Sequence, residues 1–226
     1  MAEPQDKTNH SSDLDRQYRR QAAWFAGERN RLLRKVDIAS KKRVLDLGTG
    51  TGVVLPDLAW RCGGVAVGVD CDVEALRLAQ GVRVAGRAES LPFPDHSFDL
   101  VFTQMFFLWV KDLRLALSEI ARVIEPGGHL VAAAEPDYGG VIECPERTAG
   151  LKAYGDLLRS EGADTQVGSK LGAALHAAGF EATAGVHPCD PLSSTASETG
   201  GDEGPVKSKS DFAFLPYFHY LCRMPR

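Results

Sequence analysis

Three closely spaced glycines follow an acidic residue in the first quarter of the chain. They are Gly48, Gly50 and Gly52, and Asp46 stands two positions before the first of them. Glycine lets the backbone approach a ligand closely and adopt dihedral angles that other side chains disfavour. The run lies between a strand-like and a helix-like segment, so it predicts a ligand-binding loop where unpaired helix N–H groups are available. The alternative is a tight strand-to-helix turn that binds nothing.

A second acidic residue, Asp70, ends the next strand-like run, 18 positions after Gly52. A carboxylate at this edge of a sheet can accept hydrogen bonds from both hydroxyls of a ribose. It could instead cap the following helix, although Asp72 is available for that role. Nicotinamide-binding loops have the spacing G-x-G-x-x-G, whereas the spacing here is G-x-G-x-G, and Asp46 would repel a nearby phosphate. The pattern favours S-adenosylmethionine, which carries ammonium and sulfonium groups.

The segments around these residues alternate between strand and helix from residue 43 onward. Strands are predicted at 44–47, 65–69, 82–85, 98–103, 129–134, 180–186 and 212–222. Helices are predicted at 53–62, 72–80, 111–124, 150–160 and 169–178. Such alternation indicates parallel strands with helical crossovers. We therefore predict an α/β fold: a doubly wound, mostly parallel, Rossmann-like seven-stranded sheet with helices on both faces.

The region before the first strand predicts an N-terminal helical lid. Apolar residues recur at helical spacing from Leu14 to Val36, which indicates an amphipathic helix of about 20 residues. We divide the chain into a disordered tail (1–13), the lid (14–42) and the main domain (43–226), with a flexible loop at 189–210. Residues 1–43 hold 11 Lys+Arg against 6 Asp+Glu, a net charge of +5. We expect this segment to close on the acidic body or on an anionic substrate, and deletion of residues 1–36 to weaken affinity. An ordinary scaffold helix is the alternative.

Composition excludes several other classes of protein. The 226 residues carry a net charge of −4, which argues against a general nucleic-acid binder. No apolar run approaches the ~20 residues of a membrane span, and no signal peptide is visible, so we expect a cytoplasmic protein. Five cysteines without a C-x-x-C pair argue against disulfides and a metal site. We expect a monomer or homodimer.

Four motifs occur in a recognisable order. They are RVLDLGTGTG at residues 43–52, VGVD at 67–70, AESLPFPDHSFD at 88–99 and RVIEPGG at 122–128. Together they resemble the class I S-adenosylmethionine-dependent methyltransferases, most closely the small-molecule branch that includes ubiquinone and menaquinone biosynthesis enzymes. The resemblance extends from about residue 43 to residue 135. It is specific for the fold and the cofactor, and it does not identify a substrate.

This resemblance implies where the cofactor would lie. The methionine end would border the loop of residues 48–52, which we call the glycine loop. The ribose would meet Asp70, and the adenine would lie beside Cys71. The expected cofactor-binding residues are Asp46, Gly48, Thr49, Gly50, Asp70, Cys71, Ala88, Glu89 and Gln104. Many relatives have an aspartate where this chain has Arg87, which cannot accept a hydrogen bond from the adenine amino group. Glu89 or backbone carbonyls would have to substitute.

The expected substrate and catalytic residues come from strand ends and the lid. Ligands of open α/β sheets lie beyond the carboxyl ends of the strands. The substrate candidates are Phe106 and Trp109, which follow strand four, together with Tyr18 and Arg31 of the lid, where Arg29 would also contribute. The catalytic candidates are Glu135, Asp137 and Tyr138, which follow strand five and could serve as a base. None of the six histidines stands out as one.

The expected function is transfer of a methyl group from S-adenosylmethionine to a small-molecule acceptor by direct in-line displacement. The alternative is a cofactor-binding or regulatory module of the same fold without transferase activity. Arg87 and the absence of a clear base motivate this alternative.

Overall fold

A mixed sheet forms the centre of the protein, for which a computed structural model describes residues 4–144, 150–189 and 212–226. Within those residues the sheet has eight strands, and β1 to β5 run parallel in the order β3-β2-β1-β4-β5. Next to β5 lies β8, which is antiparallel to β5, β6 and β7. The strands are β1 (Arg43–Leu47), β2 (Val65–Asp70), β3 (Val82–Ala85), β4 (Phe98–Thr103), β5 (Ile124–Pro136), β6 (Ile142–Cys144), β7 (Glu181–Cys189) and β8 (Phe212–Arg223).

Helices connect the parallel strands and cover the sheet. They are α1 (Pro4–Trp24), α2 (Ala26–Lys35), α3 (Leu55–Arg61), α4 (Val73–Leu76), α5 (Leu113–Val123), α6 (Leu151–Ser160) and α7 (Val167–Ala177). Asp72 caps α4 by accepting hydrogen bonds from the backbone N–H groups of Glu74 and Ala75. Asp112 caps α5 in the same way through the N–H of Leu115. The capping role therefore falls to Asp72, which leaves Asp70 available for another function.

The predicted architecture is confirmed. The sheet is doubly wound and mostly parallel, and β4 is buried along its whole length because helices cover both of its faces. Two apolar clusters form the core. The strand count differs from the prediction, since the sheet contains the additional short strand β6. Most of the loop predicted at 189–210 lies outside the described residues.

The region before β1 consists of two helices rather than one. The break falls at Phe25, between α1 and α2, and α1 begins at Pro4, within the predicted tail. Phe25, Leu32 and Leu33 have no exposed surface and belong to the core. Deleting residues 1–36 would therefore remove core side chains, so weaker binding in that variant could not be assigned to a lid. A point substitution in α1 is the appropriate test.

The parallel strands give the sheet two chemically different edges. The carboxyl ends of β1, β2, β4 and β5 meet at one edge, and their amino ends lie roughly 20 Å away, the length of a six-residue strand. Among the described residues, no helix combines the length and apolar character that a membrane crossing requires.

Candidate functional site

The glycine loop lies at the carboxyl edge, between β1 and α3. The backbone N–H groups of Gly48 and Thr49 both donate to the carbonyl of Val69, at 2.8 and 3.0 Å, which ties the loop to β2. Gly48 has φ +77° and Gly50 has φ +55°, in the left-handed region where a Cβ is strained. The loop therefore requires glycine at these positions, and its backbone is held close to the end of β2.

Asp70 links the glycine loop to the start of α4. One carboxylate oxygen accepts the N–H of Gly50 at 2.7 Å, and the other accepts the N–H of Asp72 at 2.9 Å. Asp70 is half-buried, so its side chain is fixed but reachable. A carboxylate has about four acceptor positions, so two remain available to hydroxyl groups of a ligand.

Asp46 lies beneath the loop and is almost fully buried, with 4% of its surface exposed. Its carboxylate accepts the hydroxyl of Thr49 at 2.6 Å. Burial, with a smaller contribution from the charge of Asp70, raises the pKa of Asp46 to about 7, against the opposing effects of Thr49 and Arg29. A nearby positive charge would favour its ionised form.

Arg29 is the buried cation of this site. Its guanidinium Nη1 donates to the carbonyl of Ala22 at 2.8 Å and to the side-chain oxygen of Gln104 at 3.1 Å. Its Nε has no hydrogen-bond partner, and the closest approach of an acid is Asp57 Oδ2 at 3.8 Å. Because unpaired buried polar groups are costly, Arg29 is suited to receive an anionic group of a ligand.

The two arginines named for the lid have different surroundings. Arg31 pairs with Glu28, and its Nη2 lies 3.2 Å from Nε2 of His219 on β8, so its interactions are with neighbours of α2 and β8. Arg29 instead reaches Gln104 at the end of β4. A sequence signal for Arg29 existed: it follows Phe25 by four positions and precedes Leu32 by three, which places it on the buried face of α2.

Two aromatic rings cover the glycine loop. A Cβ built on Gly50 would lie 2.7 Å from a ring carbon of Tyr18 in α1, and one built on Gly48 would collide with the ring of Phe106. The glycines therefore make room for these rings as well as for the turn. Trp109, three residues after Phe106, is 48% exposed in a short 3₁₀ segment. Of the four substrate candidates, the structure brings Tyr18 and Phe106 into contact with the loop.

Glu135, near the end of β5, has no exposed surface. Its carboxyl group accepts the N–H of Phe106 at 3.2 Å and that of Phe107 at 3.0 Å, and it lies 3.5 Å from the hydroxyl of Thr103. Burial raises its pKa to about 8, although these hydrogen bonds oppose the shift. The geometry is that of a group that holds the loop after β4 in place.

Asp137 and Tyr138 are also engaged in local structure. Asp137 is 3% exposed, and its oxygens accept the N–H groups of Gly139, Gly140 and Ser169. Burial raises the pKa of the Tyr138 phenol well above its usual value. Both side chains are almost fully buried, and their catalytic role stays a prediction.

The residues expected around an adenine lie on the two loops after β2 and β3. Cys71 is exposed, and Ala88 is buried. Glu89 lies 3.6 Å from the guanidinium of Arg87. Arg87, which departs from the usual pattern, thus forms an ion pair with the acid that stands two positions later.

Asp46 and Glu135 make stability depend on pH. Both have a pKa raised by folding, to about 7 and about 8, so the folded state holds their protons more tightly than the unfolded chain. This contribution is complete at acid pH and is lost as the pH rises through those values. We expect the free energy of unfolding, measured by urea denaturation, to fall by roughly 1–2 kcal/mol between pH 7 and 8.5. Glu135→Gln should flatten this slope, and an unchanged slope would contradict the assignment.

The central part of the chain is similar to known proteins. Residues 45–132 match the family model described as a methyltransferase domain. The chain is 36% identical over 105 residues to malonyl-[acyl-carrier protein] O-methyltransferase 1 of Coxiella burnetii, covering 45% of this chain and 37% of that protein. It is 43% identical over 94 residues to demethylmenaquinone methyltransferase of Roseiflexus castenholzii, covering 38% and 40%.

The structural comparison extends over more of the chain. The phosphoethanolamine N-methyltransferase 2 of Haemonchus contortus, solved in complex with S-adenosyl-L-methionine, superposes with a TM-score of 0.63 at 18% identity. The match covers 86% of this chain and 51% of that chain, and it shows a shared fold. In sequence, the chain spans only about two fifths of the length of the two curated relatives.

Proposed function

We propose that this chain, in which residues 45–132 form a methyltransferase domain of the class I S-adenosylmethionine-dependent family, transfers a methyl group from that cofactor to a small-molecule acceptor. The observation that carries the proposal is the position of Asp70. It ends β2, is half-buried, and is hydrogen-bonded to Gly50 of the glycine loop. A carboxylate held there can accept the ribose hydroxyls while the loop backbone borders the rest of the cofactor.

The amino-acid end of S-adenosylmethionine fits the buried charges near the loop. That end is a zwitterion, and the site holds Arg29, with an unpartnered Nε, in electrostatic contact with Asp46. Arg29 would take the carboxylate of the cofactor, and the Asp46 region would take its ammonium group. The ammonium would also favour the ionised form of Asp46, against the effect of burial. These are the residues of this chain that would hold and orient the cofactor.

The chemistry makes limited demands on the protein. S-adenosylmethionine supplies, when bound, an activated methyl group on a sulfonium. The chain's own contribution would be positioning and exclusion of water, because in-line displacement requires an aligned acceptor in a dry site. Tyr18 and Phe106 would provide that exclusion, since their rings lie on Gly50 and Gly48. We assign Glu135 to positioning rather than to proton transfer, because it is buried and engaged with backbone amides.

Calorimetry with the purified chain tests the proposal. We expect S-adenosylmethionine and S-adenosylhomocysteine each to bind with a Kd of about 1–100 μM, or roughly −8 to −5.5 kcal/mol. Absence of heat with both ligands, confirmed by equilibrium dialysis, would reject the proposal. Binding without methyl transfer to any acceptor in a broad metabolite screen would favour the alternative, a cofactor-binding or regulatory module.

Replacement of Tyr18 by alanine tests whether α1 acts as a lid. The ring covers Gly50, so its loss should expose the bound cofactor and accelerate dissociation. We expect about tenfold weaker cofactor binding, because an aromatic side chain contributes about 1.5–3 kcal/mol when buried. Stopped-flow fluorescence would measure the association and dissociation rate constants of the cofactor separately. Tyr154→Ala, at a partly exposed tyrosine of α6, is a matched control. Tighter binding in Tyr18→Ala would show that the ring competes with the cofactor.

We also propose that the protein acts in the cytoplasm as a monomer or homodimer on a small acceptor, without a nucleic-acid partner. Cys62, Cys71 and Cys222 support a reducing location, because all three are free thiols. Light scattering at micromolar concentration would determine the oligomeric state.

A further inference from the structure

A concave surface of about 650 Å³ lies at the amino edge of the sheet, away from the glycine loop. Its basic lining residues are Lys35 of α2, His129 of β5, His176 of α7 and Arg223 of β8. His129 is six residues before Glu135 on β5, so the cavity is roughly 20 Å from the carboxyl edge. Its volume lies within the range of small-molecule sites, about 300–1,000 Å³. We refer to it as the basic cavity.

Positive charge in the basic cavity is not balanced by ion pairs. The ammonium of Lys41 lies 3.1 Å from Nδ1 of His129, so a cation faces a group that can itself become cationic. Within the part of the chain that the structure describes, Lys35, Lys41 and Arg223 make no ion pair with a carboxylate, although the acidic Glu181 also lines the cavity.

The surroundings of His129 disfavour protonation of its imidazole. Burial lowers the pKa of His129, and the charges of Lys41 and Arg223 lower it further. Asp99 acts in the opposite direction, but its two oxygens already accept the backbone N–H groups of Lys42 and Arg43. The basic groups thus have unmet capacity for an anion, and an anion bound among them would make protonation of His129 easier.

Part of the remaining lining is apolar, although Glu181 and Thr183 also belong to it. Val36 is 6% exposed, Phe180 is 2% exposed and Cys222 is 1% exposed, and all three line the same surface as the basic groups. Burial raises the pKa of the Cys222 thiol to about 12, so it contributes an uncharged sulfur. A ligand that satisfies this surface must combine negative charge with an apolar body.

The basic cavity also accounts for part of the charge asymmetry along the chain. Lys35 and Lys41 belong to the segment of residues 1–43, whose net charge is +5. The charge of that segment predicts that it closes on the acidic body or on an anionic substrate. In the structure, these two lysines lie at the opposite edge of the sheet from Asp70 and the glycine loop.

We propose that the basic cavity binds a small organic anion, one that carries a phosphate or carboxylate group on an apolar body. Lys35 and Arg223 bind the anionic oxygens, His129 donates a hydrogen bond once protonated, and Val36 and Phe180 contact the apolar part; Lys41, beside His129, adds positive charge behind the lining. This site is separate from the proposed cofactor site and does not depend on the proposed function.

Titration of the full-length protein with three probe anions tests the proposal. The probes are phenyl phosphate, benzoate and inorganic phosphate, and the readout is the imidazole NMR signal of His129, assigned with His129→Gln. We expect phenyl phosphate to bind about tenfold or more tightly than inorganic phosphate, which lacks the apolar body. Tighter binding of phenyl phosphate than of benzoate would identify a phosphate ligand, and the reverse order a carboxylate. Binding should raise the pKa of His129.

Charge-removing substitutions supply the control. Lys35→Met and Arg223→Met should each weaken phenyl phosphate binding about tenfold, the value of one charge-assisted hydrogen bond. Arg83→Met, at an exposed arginine on β3, removes the same charge elsewhere and should have no effect. The proposal is overturned if no probe shifts the His129 signal at millimolar concentration, or if Arg83→Met weakens binding equally. Displacement of phenyl phosphate by S-adenosylmethionine would also overturn it.

Discussion

Replacement of Asp70 by alanine is expected to weaken S-adenosylmethionine binding by about 100-fold or more, because a hydrogen bond to a charged acceptor contributes about 1.5–3 kcal/mol and the ribose would lose two of them. The substitution also removes the acceptor of the Gly50 N–H, which loosens the glycine loop. Isothermal titration calorimetry on the folded variant measures the effect. S-adenosylhomocysteine should lose the same affinity, because it has the same ribose.

Asp112→Ala is the matched control for Asp70→Ala. Asp112 also accepts a backbone N–H at the start of an element, in this case that of Leu115 in α5. Loss of such a cap costs about 0.5–2 kcal/mol, so both variants should lose a comparable amount of folding stability. Only Asp70→Ala should lose cofactor affinity. Unchanged affinity in folded Asp70→Ala would refute the ribose assignment, whereas a wild-type chain that binds no cofactor would refute the proposed function itself.

Replacement of Glu135 by alanine is expected to weaken cofactor binding about tenfold and to lower the free energy of unfolding by about 1–3 kcal/mol, the cost of buried donors left without an acceptor. Alanine removes the group that accepts the N–H groups of Phe106 and Phe107. The loop after β4 should then shift, and the ring of Phe106 should leave Gly48. Fluorescence of the half-exposed Trp109, recorded in a background in which Trp24 and Trp60 are replaced by phenylalanine, reports the shift, and calorimetry reports the affinity.

Glu143→Ala separates positioning from a general loss of stability. Glu143, on β6, accepts the N–H groups of Leu151 at 2.6 Å and Lys152 at 3.2 Å, in the same manner as Glu135, but at the start of α6. We expect it to lose stability without losing cofactor affinity. If Glu135 were instead a base, Glu135→Gln would lower kcat while leaving the Trp109 signal and the affinity unchanged. That outcome would contradict the positioning role.

Local patterns allowed the fold to be predicted with good accuracy. The glycine spacing, the alternation of strand and helix and the cap at Asp72 depend on backbone preferences of a few adjacent residues. β6 escaped prediction because it has three residues and is defined by its pairing with the start of β8. The break between α1 and α2 was not predicted either, because the apolar spacing continues through Phe25, which is buried in the core.

The site could be predicted only in part. Asp46, Gly48, Gly50 and Asp70 lie on one strand–loop unit and its neighbour, so their sequence spacing already places them close together. Residue spacing places Arg29 on the buried face of α2, but it does not show which groups the two arginines contact. Arg29 reaches Gln104, and Arg31 contacts Glu28 and His219, because folding brings these residues together.

The sequence by itself determined the type of fold, the glycine loop and the acid at the end of β2, because these are local consequences of residue type and order. Only the tertiary structure decided the roles of the remaining charged groups. Glu135 is surrounded by the amides of a loop 28 residues earlier, and Lys41 meets His129 from 88 residues away. The pKa and function of a charged side chain depend on burial and on neighbours brought together by folding, and neither is encoded in adjacent residues.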